Sequence, residues 1–241
     1  MRIVLSENNE PHFNLAAEEY LFASNRDDEC LYVYVNKPCV IVGSNQAVIN
    51  EVDLEFCERK KIPVIRRISG GGAVFHDLGN INFCFIKNRT SEPLSGNFLL
   101  PLVNVLNEGG FPVSVGKRKD LWVKNKKVSG SASHISKGRE LHHCTLLYDS
   151  NLEMLERALN PVNRFGVAKA TQSVVSPVSN LREYNGGKES ISVDGFLRTV
   201  VNGLLDYYRL EEEEYLLADD CREITSEYML RYLDREWNYR K

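Results

Sequence analysis

Apolar positions recur at helical spacing from Asn14 to Phe22, where Leu15, Ala16, Tyr20, Leu21 and Phe22 interleave with Glu18 and Glu19. This predicts an amphipathic helix with acids suited to its N-terminal half. Two β-branched or aromatic runs, Leu31 to Val35 and Cys39 to Val42, are broken by Asn36-Lys37-Pro38 and predict two strands joined by a turn. Gly43-Ser44-Asn45-Gln46 is a second loop at a strand end, read either as turn chemistry or as ligand contacts. A short helix over Asp53 to Lys60 and a strand over Ile62 to Ile65 follow.

There the alternation stops. Arg66-Arg67-Ile68-Ser69-Gly70-Gly71-Gly72 intervenes before apolar alternation resumes in two strands, Ala73 to His76 and Ile81 to Ile86, joined by Asp77-Leu78-Gly79-Asn80. Pro101 to Glu108 predicts a helix closed by Gly109-Gly110. Phe111 to Val115, Asp120 to Lys124, Lys126 to Ser133 and His142 to Tyr148 read as a strand meander. Helices are predicted over Leu152 to Leu159, Val193 to Tyr208 and Glu223 to Tyr232. Val162 to Ser190 shows no period, and such a loop inside a compact domain is expected to be functional or mobile. No repeat or linker divides the 241 residues, so one α+β domain is the economical expectation.

Composition narrows this little. The chain is 43% hydrophobic and 26% charged with a formal net charge of −3, which gives no reason to expect nucleic-acid binding, although Lys117 to Lys127 is locally basic. No apolar run approaches membrane-spanning length, and a cytoplasmic protein without membrane or nucleic-acid partners is expected. Six cysteines, Cys30, Cys39, Cys57, Cys84, Cys144 and Cys221, lie far apart without a CxxC pair, so neither a zinc site nor a disulfide scaffold is indicated.

The candidate chemistry sits in two stretches. Three consecutive glycines give up backbone entropy and bury no side chain, so they suit a loop whose amides lie against a ligand, and Arg66 and Arg67 favour an anion there. A tight hairpin is the plain alternative. The pattern is neither a P-loop nor a dinucleotide fingerprint. In Asp120-Leu121-Trp122-Val123-Lys124-Asn125-Lys126-Lys127-Val128-Ser129-Gly130-Ser131-Ala132, Lys127 opens a run of small residues that would leave room for a ligand. Its ammonium could neutralise a phosphate or an acyl oxygen gaining charge.

The glycine stretch through His76-Asp77 and Gly79-Asn80, with Asn82-Phe83, resembles the signature of the lipoate–protein ligase A family, and Lys127-Val128-Ser129-Gly130-Ser131-Ala132 resembles its catalytic-lysine strand. Asn14-Leu15-Ala16 with Glu18-Glu19-Tyr20-Leu21, His143 with Thr145-Leu146-Leu147, Leu159-Asn160-Pro161, Ser173-Val174, Asn180-Leu181 and Glu236-Trp237-Asn238-Tyr239 match in the same order. The resemblance implies an α+β fold of mixed and antiparallel sheets with flanking helices, shared with biotin protein ligases and class II aminoacyl-tRNA synthetases. It implies that lipoate and ATP form lipoyl-AMP, with Mg²⁺, and that a lysine of an apo lipoyl-domain protein takes the acyl group. The acceptor would be a 2-oxoacid dehydrogenase E2 or a glycine cleavage H protein. Arg67, Gly72, Ala73, Val74, Phe75 and Lys127 would bind ATP and lipoyl-AMP, with Lys127 catalytic. Ser69, Gly70, Gly71, His76, Asn80, Asp120, Ser129 and His143 would complete the site, and Asp120 would approach the phosphates or Mg²⁺.

The chain also departs from the family pattern. The family's usual small C-terminal domain would begin where this chain stops, so residues 1–241 are expected to be the catalytic domain alone, and a separate accessory subunit is one expected partner. Val175-Ser176-Pro177 stands where basic residues are usual, and Lys119 where asparagine is. Cys144 replaces a glycine after His143, and an octanoyl or lipoyl transferase working through a Cys144 thioester is therefore an alternative. A lipoate- or nucleotide-binding module without chemistry is another. Val162 to Ser190 is expected to order over the adenylate.

Overall fold

A computed structural model describes residues 1–24, 29–89, 96–161, 170–187 and 191–240. The strands, in chain order, are β1 (Arg2–Leu5), β2 (Cys30–Val35), β3 (Cys39–Val42), β4 (Val64–Arg66), β5 (Val74–His76), β6 (Asn80–Asn88), β7 (Ser114–Val115), β8 (Leu121–Val123), β9 (Lys126–Lys127), β10 (Ser131–Ser136), β11 (Arg139–Leu147) and β12 (Glu214–Tyr215). The helices are α1 (Pro11–Ala23), α2 (Val48–Glu51), α3 (Leu54–Arg59), α4 (Leu100–Glu108), α5 (Leu152–Ala158), α6 (Val193–Tyr208), α7 (Ala218–Glu223), α8 (Met229–Leu233) and α9 (Arg235–Tyr239).

A six-stranded sheet runs in the order β10-β11-β6-β2-β1-β12, antiparallel from β10 to β2 and parallel from β2 to β12. Period-two alternation fills both of its faces, because neither is left to water. Leu31, Val33 and Val35 of β2 pack with Leu102 and Val105 of α4 and Val200 and Leu204 of α6. Tyr32 and Tyr34 join Leu15, Ala16 and Leu21 of α1 on the other face, with Ile224 and Tyr232 from the C-terminal helices. A small sheet, β4-β3-β5, has its own apolar cluster, in which Phe56 of α3 and Ala158 of α5 cover Val40, Val42 and Phe75. The third sheet, β7-β8-β9, is short and antiparallel.

Local chemistry accounts for several boundaries. The Asp53 carboxylate accepts from the Phe56 amide to start α3, and Ser192 caps α6 through the Gly195 amide. Proline opens α1 at Pro11, three residues earlier than its apolar pattern begins. Its acids are not in the first turn; Asn14 and Glu18 are buried one turn apart. The strand expected over Lys126 to Ser133 is broken. Thr145 Oγ1 accepts from the Gly130 amide, and Pro177 O accepts from the Lys127 amide, so β9 and β10 belong to different sheets. The helix expected over Glu223 to Tyr232 begins earlier, at Ala218, and passes through a π-helical turn, Ile224–Tyr228. Of the aperiodic stretch, residues 162–169 and 188–190 lie outside the described residues, and its expected ordering over a ligand falls partly on them. Within the rest, Val178 bridges Lys127 and Leu181–Tyr184 forms a 3₁₀ turn.

Candidate active site

The small sheet faces the large one across a cavity of about 370 Å³, its mouth included. Ile41, Val74 and His76 line one side; Tyr34, Asn82, Ser131, Ala132, His143, Cys144 and Thr145 line the other, with Leu15 of α1, Arg67, Gly72 and Gly130 between. The two stretches singled out in the sequence therefore meet.

Two buried guanidiniums brace this wall, Arg67 on the glycine loop itself and Arg66 on the Gly43 to Gln46 loop beside it. Arg66 is fully buried and donates to the backbone oxygens of Gly43, Gln46, Trp237 and Arg240, so α9 is tied to β4. Arg67 Nε donates to Ser69 Oγ at 2.9 Å, Nη1 to Ile41 O, and Nη2 to the carbonyls of Gly70 and Gly72. Expected as an anion ligand, Arg67 is found shaping the loop, because the loop carbonyls turn inward and burial demands that they be paired. Burial lowers both guanidiniums to about 10, so each stays a cation at neutral pH beneath the loop. Gly43 is here for contact: a Cβ on it would meet Gly71 O at 2.2 Å. The Gly43 to Gln46 loop thus supports the glycine loop as well as making a turn.

A second network crosses the cavity floor. His143 Nδ1 lies 2.7 Å from Glu18 Oε1, and its Nε2 lies 2.7 Å from Ser69 Oγ. Burial opposes ionisation of Glu18, but His143, Tyr34 and Cys84 together outweigh it and hold the carboxyl below its ordinary range. Glu18, Cys84 and His143 bring ligand-type atoms within 4.8 Å of one another. The 2.7 Å Glu18–His143 contact is a hydrogen bond, shorter than the roughly 3.3 Å that separates two ligands of a tetrahedral zinc.

Lys127 is not on the cavity wall. Its ammonium sits 3.1 Å from Asp120 Oδ2 at the edge of β9, one short segment before the lining residues Gly130, Ser131 and Ala132. Burial works against the Asp120 carboxylate, yet Trp122 and Lys127 more than offset it and lower its pKa. Among the other expected residues, His76 and His143 line the cavity. Phe75 points into the core of the small sheet. Asn80 is buried behind Asn82, to which it donates at 3.0 Å, and Ser129 is buried beside Gly130. The Ala73 amide is held by Ser173 Oγ at 2.9 Å. Cys144 lines the cavity, but burial pushes its thiol up to about 12, and Glu18 and Ser69 occupy both His143 nitrogens. The alternative of an activated thiolate at Cys144 finds no support here: burial outweighs the lowering effect of its Ser129 hydrogen bond. Glu18 was missed as a site residue, although it lies in a stretch that resembles the family and is spaced one turn from Asn14 on α1.

Residues 10–205 match the model of the lipoyl protein ligase A/B catalytic domain. The chain belongs to that family. It is 34% identical over 240 residues to lipoate-protein ligase LplJ of Bacillus subtilis, covering 96% of this chain and 71% of that one. Among solved structures, a lipoate-protein ligase A bound with ATP superposes with a TM-score of 0.82 at 25% identity, covering 99% of this chain and 98% of the other. A structure from the analysis of a bi-partite lipoate protein ligase and its E2 lipoyl domain from Thermoplasma acidophilum gives 0.82 at 26% identity over 99% and 96% of the two chains. The α+β fold is that of these ligases. Among the described residues, no helix is long and apolar enough to cross a membrane.

Proposed function

We infer that the chain is an ATP-dependent lipoate–protein ligase, which activates lipoate as lipoyl-AMP and passes the lipoyl group to a lysine of an apo lipoyl domain. The observation that carries the reading is the cavity itself, apolar along Leu15, Ile41 and Val74 and flanked by the glycine loop and the Lys127 segment. The apolar lining suits an acyl chain in character, and the backbone amides between Gly72 and Gly130 suit an acyl phosphate.

In the first step a lipoate carboxylate oxygen attacks the α-phosphorus of ATP and pyrophosphate leaves. In the second the acceptor lysine amine attacks the anhydride carbonyl, AMP leaves, and the amine loses a proton. Both steps build charge on phosphate or acyl oxygens, so the required help is fixed cations and amides. Arg67 holds the glycine loop in place, and Arg66 holds the Gly43 to Gln46 loop that supports it. Lys127 exchanges its Asp120 partner for the acyl phosphate as its ammonium turns toward the cavity. Asp120, released, is the carboxylate that would hold Mg²⁺, an ion commonly bound by one or two carboxylates and the substrate phosphates. The ion would neutralise phosphate charge. The proposed acceptors are E2 or H-type lipoyl domains, and the proposed setting is the cytoplasm, where ATP is available.

Mass spectrometry of an apo lipoyl domain incubated with the chain tests the reading with three donors. Lipoyl addition with lipoate and Mg·ATP is the expected result. Addition with lipoyl-AMP alone would assign adenylation to a separate accessory subunit. Addition only with octanoyl carrier protein, or none with any donor, would overturn the ligase reading.

A further inference from the structure

His76 lines the cavity and holds an unclaimed, buried hydrogen-bonding atom beside it. The residue is 3% exposed and lines the cavity, and its Nε2 has no partner among the described residues. A buried polar atom left so costs about 1–3 kcal/mol and calls for a reason.

The proton on that ring is fixed by a chain of amides. Asn14 Nδ2 lies 2.7 Å from Asn8 O, a backbone carbonyl that can only accept, so this end of the Asn14 amide is its NH₂. Its other end, Oδ1, accepts from the hydroxyls of Ser6 and Tyr32. The same Nδ2 lies 2.8 Å from Asn36, which must present Oδ1 to it. Asn36 therefore turns its Nδ2 toward His76 Nδ1, at 3.0 Å. A donor faces Nδ1, so Nδ1 accepts and the ring proton sits on Nε2. Burial, helped by Arg67 and His143, lowers His76 to about 3, so the ring stays neutral.

Position then names the acceptor. His76 ends β5, and Gly72 lies four residues before it, on the order of 13 Å away at about 3.3 Å per extended residue. Both residues face the cavity. On the ligase reading, on which this inference rests, the acyl carboxyl lies near Gly72, so His76 meets the far end of the chain. Lipoate has its dithiolane there and octanoate a methyl group.

We propose that the Nε2–H of His76 donates to a dithiolane sulfur and makes His76 a specificity residue for lipoyl over octanoyl groups, with Asn14 and Asn36 as positioning residues. Sulfur is a weak acceptor, so the expected preference is modest, roughly two- to tenfold. An octanoyl chain leaves the donor unpaired.

The test is ¹⁵N–¹H NMR of the His76 ring in the full chain, with titrations of lipoate and octanoate. The free chain should show a neutral ring with its proton on Nε2, and lipoate should move the Nε2–H resonance while octanoate leaves it in place. Asn36→Asp presents a carboxylate oxygen to Nδ1 and should transfer the proton there. That variant should lose the lipoate preference while its octanoate affinity is unchanged. A proton found on Nδ1 in the free chain would overturn the proposal, as would equal shifts with both acids. An Asn36→Asp chain with a moved proton and an unchanged preference would do the same. If lipoate binds by calorimetry without moving the resonance, the inference fails and the ligase reading stands. If lipoate does not bind at all, both fail.

Discussion

The two walls of the cavity are built by opposite means. Behind the glycine loop, Arg66 and Arg67 are spent on backbone carbonyls, and Gly43 lies against Gly71 with no room for a methyl group. Across from it, Lys127 belongs to a two-residue strand in a three-stranded ribbon whose first strand is exposed. Lys119 and Lys124 stand at turns there in left-handed conformation, φ 59° and 52°. One wall fixes amides that must already be in place when charge develops. Beside the other, the proposed mechanism places a cation, Lys127, that turns in toward the cavity. Preorganisation and mobility are thus divided between walls rather than combined in one loop.

The largest expected effect comes from cutting the brace. Arg66→Leu strands several buried carbonyls and releases α9, and chemical denaturation should show a loss of at least about 3 kcal/mol. Gly43→Ala forces the two loops of the same wall apart; a loss of about 1–3 kcal/mol and a weaker ATP affinity by calorimetry are expected. Either change leaving stability intact would remove the contrast between the walls.

Titration gives the next test. His76 and His142 are both lowered to about 3 by burial, so below their unfolded value of about 6.5 the unfolded chain binds protons that the folded chain refuses. Stability is therefore full above about pH 6.5 and falls as pH drops. These two groups contribute a slope approaching about 2.7 kcal/mol per pH unit near pH 5, readable from urea midpoints. A flat profile between pH 7 and 5 would contradict the buried neutral rings. The smallest effect is expected at Cys144: Cys144→Ala should keep acyl transfer within about twofold, since its thiol is buried and neutral. A large loss would reopen the thioester route.

Much of the braced wall was legible in the sequence, because glycine runs and apolar alternation report directly on close backbone approach and on buried strands. Helix α6 was legible for the same kind of reason, its period bounded by a serine cap. What escaped was polar and long-range. Glu18 reads as the solvent side of an amphipathic helix, yet it meets His143, 125 residues away. Arg67 reads as an anion ligand because its chemistry permits it; only the inward turn of the loop carbonyls shows its bracing role. The break between β9 and β10 depends on Thr145 and Pro177, which local periodicity cannot supply.

The most direct test of the central claim is single-turnover transfer from lipoyl-AMP to an apo lipoyl domain, comparing the wild-type chain with Lys127→Ala. Transfer slowed by about 10²–10³-fold, with thermal stability unchanged, is the predicted result. A variant that transfers at the wild-type rate would contradict the assignment of the mobile cation and with it the division of labour between the two walls.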